Sequence, residues 1–355
     1  MTDSPIKVSL FLRYRAGQNF SIERLFDAVV SALPADRYVV TRHVCPFKSE
    51  GIIRRLALIV WAAFRQGDVN HITGDVNFLG LMMRRSRTLL TIHDSASMRR
   101  LTGWSRRLYR LFWLRLPVRR AARVTVISNE TLHETRSYVD ADPAKFAVIP
   151  NCTPLGIAAR PRTFGESPPR LLAVGTHQNK NLERVIEALA GVACVLVVIG
   201  ELSEQQRTLV ARHAVAVENH VAVDDDAIAE HYRNADAVVF VSTYEGFGLP
   251  IIEAQAMGRP LITSRRSPMS EVAGTGACLV DPESVPEIRS AILRVLRDAD
   301  YRASLVAAGF ANVKAYSPAE VAKQYAAVYE ELHRGAAGDP AQTKRSSRRL
   351  LGWVR

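Results

Sequence analysis

Residues 238–258, VVFVSTYEGFGLPIIEAQAMG, constrain the fold of this chain more than any other stretch. They open with an apolar run of β-branched and aromatic residues, typical of a strand buried in a parallel sheet. Gly246 and Gly248 then allow a tight turn. Pro250 fits the first position of a following helix, and Gly258 is placed to end it. A strand, a turn and a helix within about twenty residues predict an α/β fold, in which ligands bind at the carboxyl ends of the strands.

The same alternation recurs along the whole chain and predicts two doubly wound, Rossmann-like α/β domains of similar size. The strands expected in the first half are residues 8–12, 38–44, 71–73, 88–92, 124–128 and 146–150. Those expected in the second half are residues 171–175, 195–200, 217–223, 237–242, 260–263 and 277–280. A stretch rich in proline, glycine and small residues lies between the halves and reads as a linker. We expect the ligand in a cleft between the two domains.

Domain boundaries follow from these patterns. We expect an N-terminal domain over residues 1–155, a second domain over 156–315, and a helix over 316–335 that returns to the first domain. The helix should begin at Pro318, because Ser317 and Glu320 form a capping box around it. Residues 336–355 read as a basic tail, mobile in solution.

Composition excludes several classes of protein. The four cysteines, Cys45, Cys152, Cys194 and Cys278, form no C-x-x-C pair, which favours reduced thiols and a cytoplasmic protein. The N-terminal residues do not resemble a signal peptide, and the longest apolar run, residues 56–64, is far short of the roughly 20 residues that span a bilayer.

Charge is divided unevenly between the halves. Residues 1–150 hold 24 Lys and Arg against 12 Asp and Glu, whereas residues 151–355 hold 23 of each. Residues 99–123 alone contain nine arginines and no acid, interleaved with Trp104, Phe112 and Trp113. This segment is a solvated cationic helix, a nucleic-acid-binding surface, or a surface for an anionic membrane; no nucleic-acid-binding motif accompanies the charge.

Two further features could carry chemistry. Residues 171–189 read as a strand, a short loop and an amphipathic helix, with Lys180 near the helix start, where a phosphate would be favoured. A solvated loop lysine is the simpler interpretation if this loop stands alone. Glu245 and Glu253 are similarly either surface acids or acceptors for paired sugar hydroxyls, while the turn around Gly248 offers backbone N–H groups to an anion.

Together, VGTHQNKNLERVIEAL and YEGFGLPIIEAQAMGRPLITS, about 60 residues apart, resemble the retaining glycosyltransferases of the GT-B fold, the group-one family with many bacterial mannosyl-, glucosyl- and rhamnosyltransferases. The paired glutamates are that family's signature. The likeness covers most of the chain, strongly in the second half and more loosely in the first. It implies transfer of a hexose with retention from a nucleoside diphosphate sugar, with no metal or other cofactor, to a saccharide or lipid-linked acceptor.

The resemblance implies a role for each matching residue. Glu245 would meet the hydroxyls of the donor sugar, Lys180 would neutralise the diphosphate, and His93 would lie over the sugar from the first domain. Glu253 would hold the ribose. The other donor-binding positions expected are Gly175, Thr176, Asn179, Val221, Gly246, Phe247, Gly248 and Leu249. Because the family's acceptors are often lipid-linked, we favour the membrane interpretation of residues 99–123 and of the basic tail, and expect a peripheral protein on the inner face of the cell membrane.

The chain departs from the family pattern in two places. Thr176 stands where many members carry an arginine, so diphosphate binding rests on Lys180, Asn179 and the helix start. Residues 13–20 replace the usual glycine-rich loop after the first strand.

Residues 224–226, Asp-Asp-Asp, contain the D-x-D spacing that holds a metal in another glycosyltransferase fold. We expect Asp226 to be a helix cap instead.

Two functions of other classes remain open. A nucleotide-sugar epimerase shares the two-domain fold and would act on the donor alone. A basic lipid- or nucleic-acid-binding protein with an inactive catalytic fold would ignore nucleotide sugars.

Overall fold

The computed structural model describes residues 4–14, 21–153, 159–160, 164 and 168–336. These residues form two six-stranded parallel sheets, as predicted. The strands are β1 (Ile6–Leu12), β2 (Tyr38–Val44), β3 (Val69–Ile72), β4 (Thr88–Ile92), β5 (Arg123–Val126), β6 (Phe146–Val148), β7 (Arg170–Val174), β8 (Val195–Ile199), β9 (Ala216–His220), β10 (Ala237–Phe240), β11 (Leu261–Ser264) and β12 (Cys278–Val280).

Helices alternate with the strands. They are α1 (Ser21–Ala32), α2 (Ile52–Ala63), α3 (Ala96–Arg100), α4 (Gly103–Tyr109), α5 (Leu116–Arg120), α6 (Asn129–Tyr138), α7 (Leu182–Ala188), α8 (Glu204–His213), α9 (Asp225–Asn234), α10 (Leu249–Ala256), α11 (Met269–Ala273), α12 (Val285–Arg297), α13 (Ala299–Val313) and α14 (Pro318–Ala336). A π-helical segment, Arg110–Arg115, joins α4 to α5.

The chain divides into two compact units. Unit 1 comprises residues 1–151 together with 318–355, and unit 2 comprises residues 152–317. In unit 1 the strand order is β2-β1-β3-β4-β5-β6, and in unit 2 it is β12-β11-β10-β7-β8-β9. Central strands such as β4 and β10 are buried along their whole length, because helices cover both faces of a parallel sheet.

Helix α14 packs on α1 and on strands β1 and β3, within unit 1. Its inner face buries Tyr325 and Tyr329. The Tyr329 hydroxyl lies 2.8 Å from His71 Nδ1, and His71 Nε2 lies 2.7 Å from the Thr91 hydroxyl. Burial lowers the pKa of His71 to about 3, so the ring is neutral and serves as a hydrogen-bonding bridge between α14 and the sheet.

The π-helical segment has a local cause. Pro117 lacks an N–H group and cannot bond the carbonyl of Trp113, four residues earlier. That carbonyl instead accepts a hydrogen bond of 2.9 Å from Asn77 Nδ2. A side-chain amide at the start of the 3₁₀ segment Asn77–Met82 thus replaces the missing backbone donor of the helix.

Three local predictions need correction. Asp224, not Asp226, caps α9, since its Oδ1 accepts from the Ala227 amide at 2.9 Å. Helix α10 begins at Leu249, which places Pro250 one residue further into the helix than expected. Several predicted strands end one to three residues earlier than their apolar runs; the predicted strand over 217–223, for example, ends at His220. The expected basic tail, residues 336–355, lies almost wholly outside the described residues.

Candidate active site

The carboxyl ends of β7 and β10 define the candidate site in unit 2. These two strands are neighbours, yet the chain leaves β7 toward β8 and β9 on one side and leaves β10 toward β11 and β12 on the other. Such a reversal of strand order opens a crevice where doubly wound proteins bind nucleotides. The loop after β7 carries Lys180, and the loop after β10 carries Glu245, so the topology brings the two predicted charges together.

Lys180 and Glu245 form an ion pair at this point. Lys180 Nζ lies 2.6 Å from Glu245 Oε1, and their side chains are 21% and 14% exposed. The ammonium also lies 4.9 Å from the centre of the Phe240 ring, at the end of β10. An ammonium has three N–H donors and a carboxylate has about four acceptor positions, so each group can bind a ligand without giving up the other.

Asn179 and Asn181 link the loop after β7 to the loop after β10 by hydrogen bonds. Asn179 Nδ2 donates to the Tyr244 carbonyl at 3.0 Å and to Glu245 Oε1 at 3.3 Å, while the Thr243 amide donates to the Asn179 carbonyl at 2.8 Å. Buried Asn181 adopts a left-handed conformation and donates to the carbonyls of Val241 and Pro282. The loops are therefore held by backbone-directed hydrogen bonds, which fixes the carboxylate and the ammonium in place.

Gly175 and Gly248 leave room for the side chains of Lys180 and Ile251. Gly175 has a φ of +92°, and a Cβ there would lie 3.0 Å from Lys180 Cε. Gly248 has a φ of +101°, and a Cβ there would lie 2.9 Å from Ile251 Cδ1. Both positions need glycine for the backbone angle and for the space. Gly248 is also the N-cap of α10, where no side chain caps the first amides.

Glu253 lies on α10 and has a partner that the sequence did not suggest. The Tyr232 hydroxyl of α9 donates to Glu253 Oε2 at 2.7 Å. Burial, and then the nearby carboxylate, raise the pKa of Tyr232 well above its ordinary value, so the phenol is a permanent donor. The hydrogen bond orients a half-buried carboxylate that the resemblance assigns to the ribose.

The remaining predicted donor positions differ in exposure. Phe247 is buried and packs edge-on against Tyr316, with ring centres 5.8 Å apart. The side chain of Thr176 lies against Gly200, where the φ of +126° requires glycine. Val221 is 54% exposed, just beyond the end of β9. Leu249 is half-buried at the start of α10.

Sequence reasoning missed several residues at this site. Ser242, two residues after β10, is fully buried, and its Oγ has no hydrogen-bond partner among the described residues. A hydroxyl after a buried strand is a weak sequence signal, since most such groups bond their own backbone. Asn181 and Tyr232 could not be found either, because their partners are 60 and 21 residues away along the chain.

His93 lies in unit 1, directly after β4. Burial, and then the positive charge of Arg13, lower the pKa of His93 to about 4. Its Nε2 is shielded from solvent and has no hydrogen-bond partner among the described residues. A neutral imidazole with a free ring nitrogen can accept or donate one hydrogen bond. Of the loop that follows β1, Arg13 and Tyr14 are described and residues 15–20 are not; the Arg13 guanidinium pairs with Glu23 at 3.0 Å.

The arginine-rich segment 99–123 has an outer and an inner side. Trp104, Leu108 and Phe112 are 75%, 53% and 41% exposed. Trp113 is buried, and Arg123 forms a buried ion pair with Glu331 of α14 at 2.9 Å. Arg123 therefore belongs to the core of unit 1 and not to a cationic surface.

The part of the chain that the structure describes lacks both a metal-binding cluster and a membrane-spanning helix. It contains no group of three or more His, Cys, Asp or Glu side chains arranged to hold a metal ion. None of its helices combines the length and the apolar character needed to cross a membrane.

Two Rossmann-like units, one with a charged pair at its strand-order reversal, place the chain in the class of doubly wound α/β proteins. Family comparisons narrow this class. Residues 11–156 match the family described as Glycosyltransferase Family 4, and residues 168–298 match Glycosyl transferases group 1.

Curated relatives point the same way. The chain is 38% identical over 95 residues to O-antigen chain mannosyltransferase B of Escherichia coli, which covers 27% of this chain and 25% of that protein. It is 27% identical over 221 residues to O-antigen chain mannosyltransferase RfbU of Salmonella typhimurium, covering 59% of this chain and 61% of the relative. The matches thus span a quarter to about three fifths of these relatives.

Solved structures establish the fold. Sucrose-phosphate synthase from Thermosynechococcus elongatus superposes with a TM-score of 0.71 at 19% identity, covering 92% of this chain and 99% of that one. HepE from Anabaena, in complex with UDP and glucose, superposes with a TM-score of 0.74 at 15% identity over the same shares of the two chains. The fold is GT-B, and both family models that the chain matches describe glycosyltransferases.

Proposed function

We propose that this protein transfers a hexose from a nucleoside diphosphate sugar to a saccharide or lipid-linked acceptor, with retention of the anomeric configuration. The observation that carries the proposal is the Lys180–Glu245 pair at the β7/β10 reversal, with a 2.6 Å contact between an ammonium and a carboxylate. A nucleotide sugar presents a diphosphate beside a ring of hydroxyls, and this pair offers one group suited to each.

Lys180 would act on the leaving group. Breaking the glycosidic bond leaves both bonding electrons, and hence a growing negative charge, on the terminal phosphate oxygen of the nucleoside diphosphate. The Lys180 ammonium can stabilise that charge because its position is already fixed by Gly175, Phe240 and Glu245. Positioned charges of this kind stabilise a transition state without reorganising.

The other residues would bind the donor. Glu245 Oε2, which has no hydrogen-bond partner among the described residues, would accept from a sugar hydroxyl, and Glu253 would accept from the ribose. The amides at the start of α10 would meet the sugar or phosphate, and Val221 would flank the base. His93, neutral at physiological pH because its pKa is about 4, would contact the donor sugar as a hydrogen-bonding group.

Retention would follow from attack by the acceptor hydroxyl on the face from which the diphosphate leaves. The acceptor oxygen forms the new bond to the anomeric carbon and passes its proton to the departing phosphate oxygen, so no covalent enzyme intermediate is needed. This step rests on the family resemblance.

No metal is included in the proposed reaction. In support of this, one carboxylate of the D-x-D sequence is engaged in capping, since Asp224 accepts the Ala227 amide. Lys180 would supply the positive charge that a divalent ion provides elsewhere. Transfer that is unchanged by EDTA would support this part of the proposal, and activity restored only by Mg²⁺ or Mn²⁺ would contradict it.

Mannose is the first sugar to test, because two of the relatives are O-antigen mannosyltransferases. By the same likeness, the acceptor would belong to the synthesis of a bacterial surface polysaccharide or glycolipid. We also propose that the protein works on the cytoplasmic face of the membrane through the exposed part of segment 99–123.

The decisive experiment incubates the protein with GDP-mannose and with UDP- and dTDP-hexoses, each with and without lipid-linked acceptors. Release of nucleotide that depends on the acceptor supports transfer, and the anomeric configuration of the product tests retention. An isomerised donor would identify an epimerase, and no reaction with any donor would favour a non-catalytic binding protein. Glu245→Gln should abolish most turnover, whereas Glu230→Gln, which breaks an exposed ion pair with Arg233, should not.

A further inference from the structure

The outer face of α2 in unit 1 is unusually apolar. Ile52, Ile53, Leu56 and Val60 are 74%, 83%, 57% and 44% exposed, and Phe64, directly after the helix, is 84% exposed. These positions recur at about the helical period and form one stripe. The opposite stripe is buried in the core of unit 1, so the exposed residues do not serve the fold. Contiguous exposed apolar surface of this kind marks a site of interaction.

Helix α2 lies beside the arginine-rich segment. The Arg55 guanidinium of α2 lies 4.6 Å from the centre of the Trp113 ring. Met82, in the 3₁₀ turn that packs against both α2 and the π-helical segment, is 56% exposed. The connections from β2 onward all run in the same direction across the sheet, and right-handed crossovers place them in one layer. The apolar face of α2 and the exposed side of segment 99–123 therefore lie on the same helical layer.

The charge on this layer indicates which kind of partner the exposed stripe binds. Residues 51–65 and 98–123 contain no Asp or Glu. A cavity of about 430 Å³ in the same layer is lined by Arg110, Arg115 and Arg136, together with residues 137–141, which include Asp140. None of these three guanidinium groups has a partner among the described residues. Apolar side chains beside unpaired arginines match an anionic bilayer, whose acyl chains lie just below its phosphates.

We propose that α2 is a membrane-inserting element, with the stripe from Ile52 to Phe64 placed among the acyl chains of an anionic bilayer. This deepens the membrane association proposed above and rests on it. The arginines would draw the protein to the phosphates, and α2 would supply the apolar contact that salt does not screen. The longest apolar run of the sequence, too short to span a bilayer, is long enough to lie in its interface.

The test measures co-sedimentation of the full chain with vesicles of phosphatidylglycerol and phosphatidylethanolamine, and with phosphatidylcholine vesicles for comparison. Ile53→Gln with Phe64→Gln should weaken binding to the anionic vesicles by about tenfold or more, since each removes a buried apolar side chain. Both positions are exposed, so the melting temperature should not fall. Ala303→Gln with Ala307→Gln, at two exposed apolar residues of α13 in unit 2, is the matched control.

Salt separates the two contributions. Arg106→Ser with Arg107→Ser should weaken binding chiefly at low ionic strength, whereas the α2 variant should remain defective at high salt as well. Binding of the α2 variant equal to that of wild type would overturn the inference. So would a concentration-dependent dimer in sedimentation velocity that the α2 variant abolishes, because the stripe would then be an interface between two copies of the chain.

These outcomes are independent of sugar transfer. Suppose that the protein binds anionic vesicles, that the arginine variant binds them less, and that the α2 variant binds them as wild type does. The inference about α2 would then fail, while the proposed membrane association would stand. A donor panel without any transfer would contradict the proposed function and leave the vesicle result unaffected.

Discussion

Lys180→Met tests the centre of the proposed site, because it removes the ammonium while keeping most of the chain that packs beside Gly175. A charged hydrogen bond to the diphosphate contributes about 1.5–3 kcal/mol. Its loss should weaken nucleoside diphosphate binding by about 10- to 150-fold. The variant also leaves the Glu245 carboxylate, 14% exposed, without the partner that lay 2.6 Å away. An uncompensated negative charge would then face the incoming diphosphate. The expected loss of affinity therefore lies toward the upper end of this range of about 10- to 150-fold.

Glu245→Gln separates the effect of losing the ammonium from the effect of the unpaired carboxylate. In the double variant with Lys180→Met, the repulsive carboxylate is gone, so the affinity lost should be smaller than the sum of the two single losses. A coupling energy of about 1–3 kcal/mol is expected for groups in direct contact. Isothermal titration calorimetry with GDP and UDP measures binding, and turnover should fall by about 100-fold or more if Lys180 stabilises the leaving group.

Lys323→Met, on the exposed side of α14, is the matched control and should change neither quantity. The reasoning would be refuted if Lys180→Met bound nucleoside diphosphate within about twofold of wild type and kept its turnover. The ion pair would then be a structural link between two loops.

Three further predictions concern residues that support the site or the fold. Gly175→Ala should lower the melting temperature and weaken donor binding, because its φ of +92° disfavours a side chain and the new Cβ would lie 3.0 Å from Lys180 Cε; unchanged affinity would show that the lysine does not need that space. Tyr232→Phe removes the donor to Glu253, so it should cost about 1–2 kcal/mol in chemical denaturation and raise the KM for the donor; a normal KM would argue against a role for this carboxylate on the ribose. Unfolding free energy should fall as the pH drops from about 6.5 toward 4, because His71, whose pKa is about 3 in the folded protein, binds a proton only when unfolded. This group contributes a slope of about 1.4 kcal/mol per pH unit, which His71→Gln should remove from a urea-denaturation series; an unaltered slope would contradict the assignment.

Local sequence patterns were sufficient to predict the fold. Most of the predicted strands are short apolar runs rich in β-branched residues, and this length and composition favour a buried strand over a helix. Helix starts were more difficult where several capping residues compete. Asp224 and Asp226 both offer a carboxylate, and the cap of α9 went to Asp224 because helix propagation from Asp225 places the Ala227 amide over its side chain.

The site could be predicted only in part. Lys180 and Glu245 were found because each lies in a loop after a buried strand, and their contact follows once β7 and β10 are known to be neighbours. The sequence does not specify strand order. It therefore could not predict that Tyr232 would reach Glu253, or that Asn181 would bridge to Pro282, 101 residues away. Similarly, the arginine-rich segment looked uniform in the sequence, yet Arg123 is buried because its partner, Glu331, comes from a helix more than 200 residues later.

The Lys180–Glu245 pair also bears on how a charged donor could bind without a large desolvation cost. Two isolated charges in a partly buried site would each lose solvation on folding, and a ligand would have to compensate both. Here each charge already has an opposite charge at 2.6 Å, and Asn179 donates to the same carboxylate at 3.3 Å. A diphosphate could bind Lys180, and a sugar hydroxyl could bind Glu245, while the ion pair between the two side chains stays intact. The site would therefore favour ligands that carry both a diphosphate and a sugar. A ligand with only one of these parts would leave either the ammonium or the carboxylate without its additional hydrogen bond.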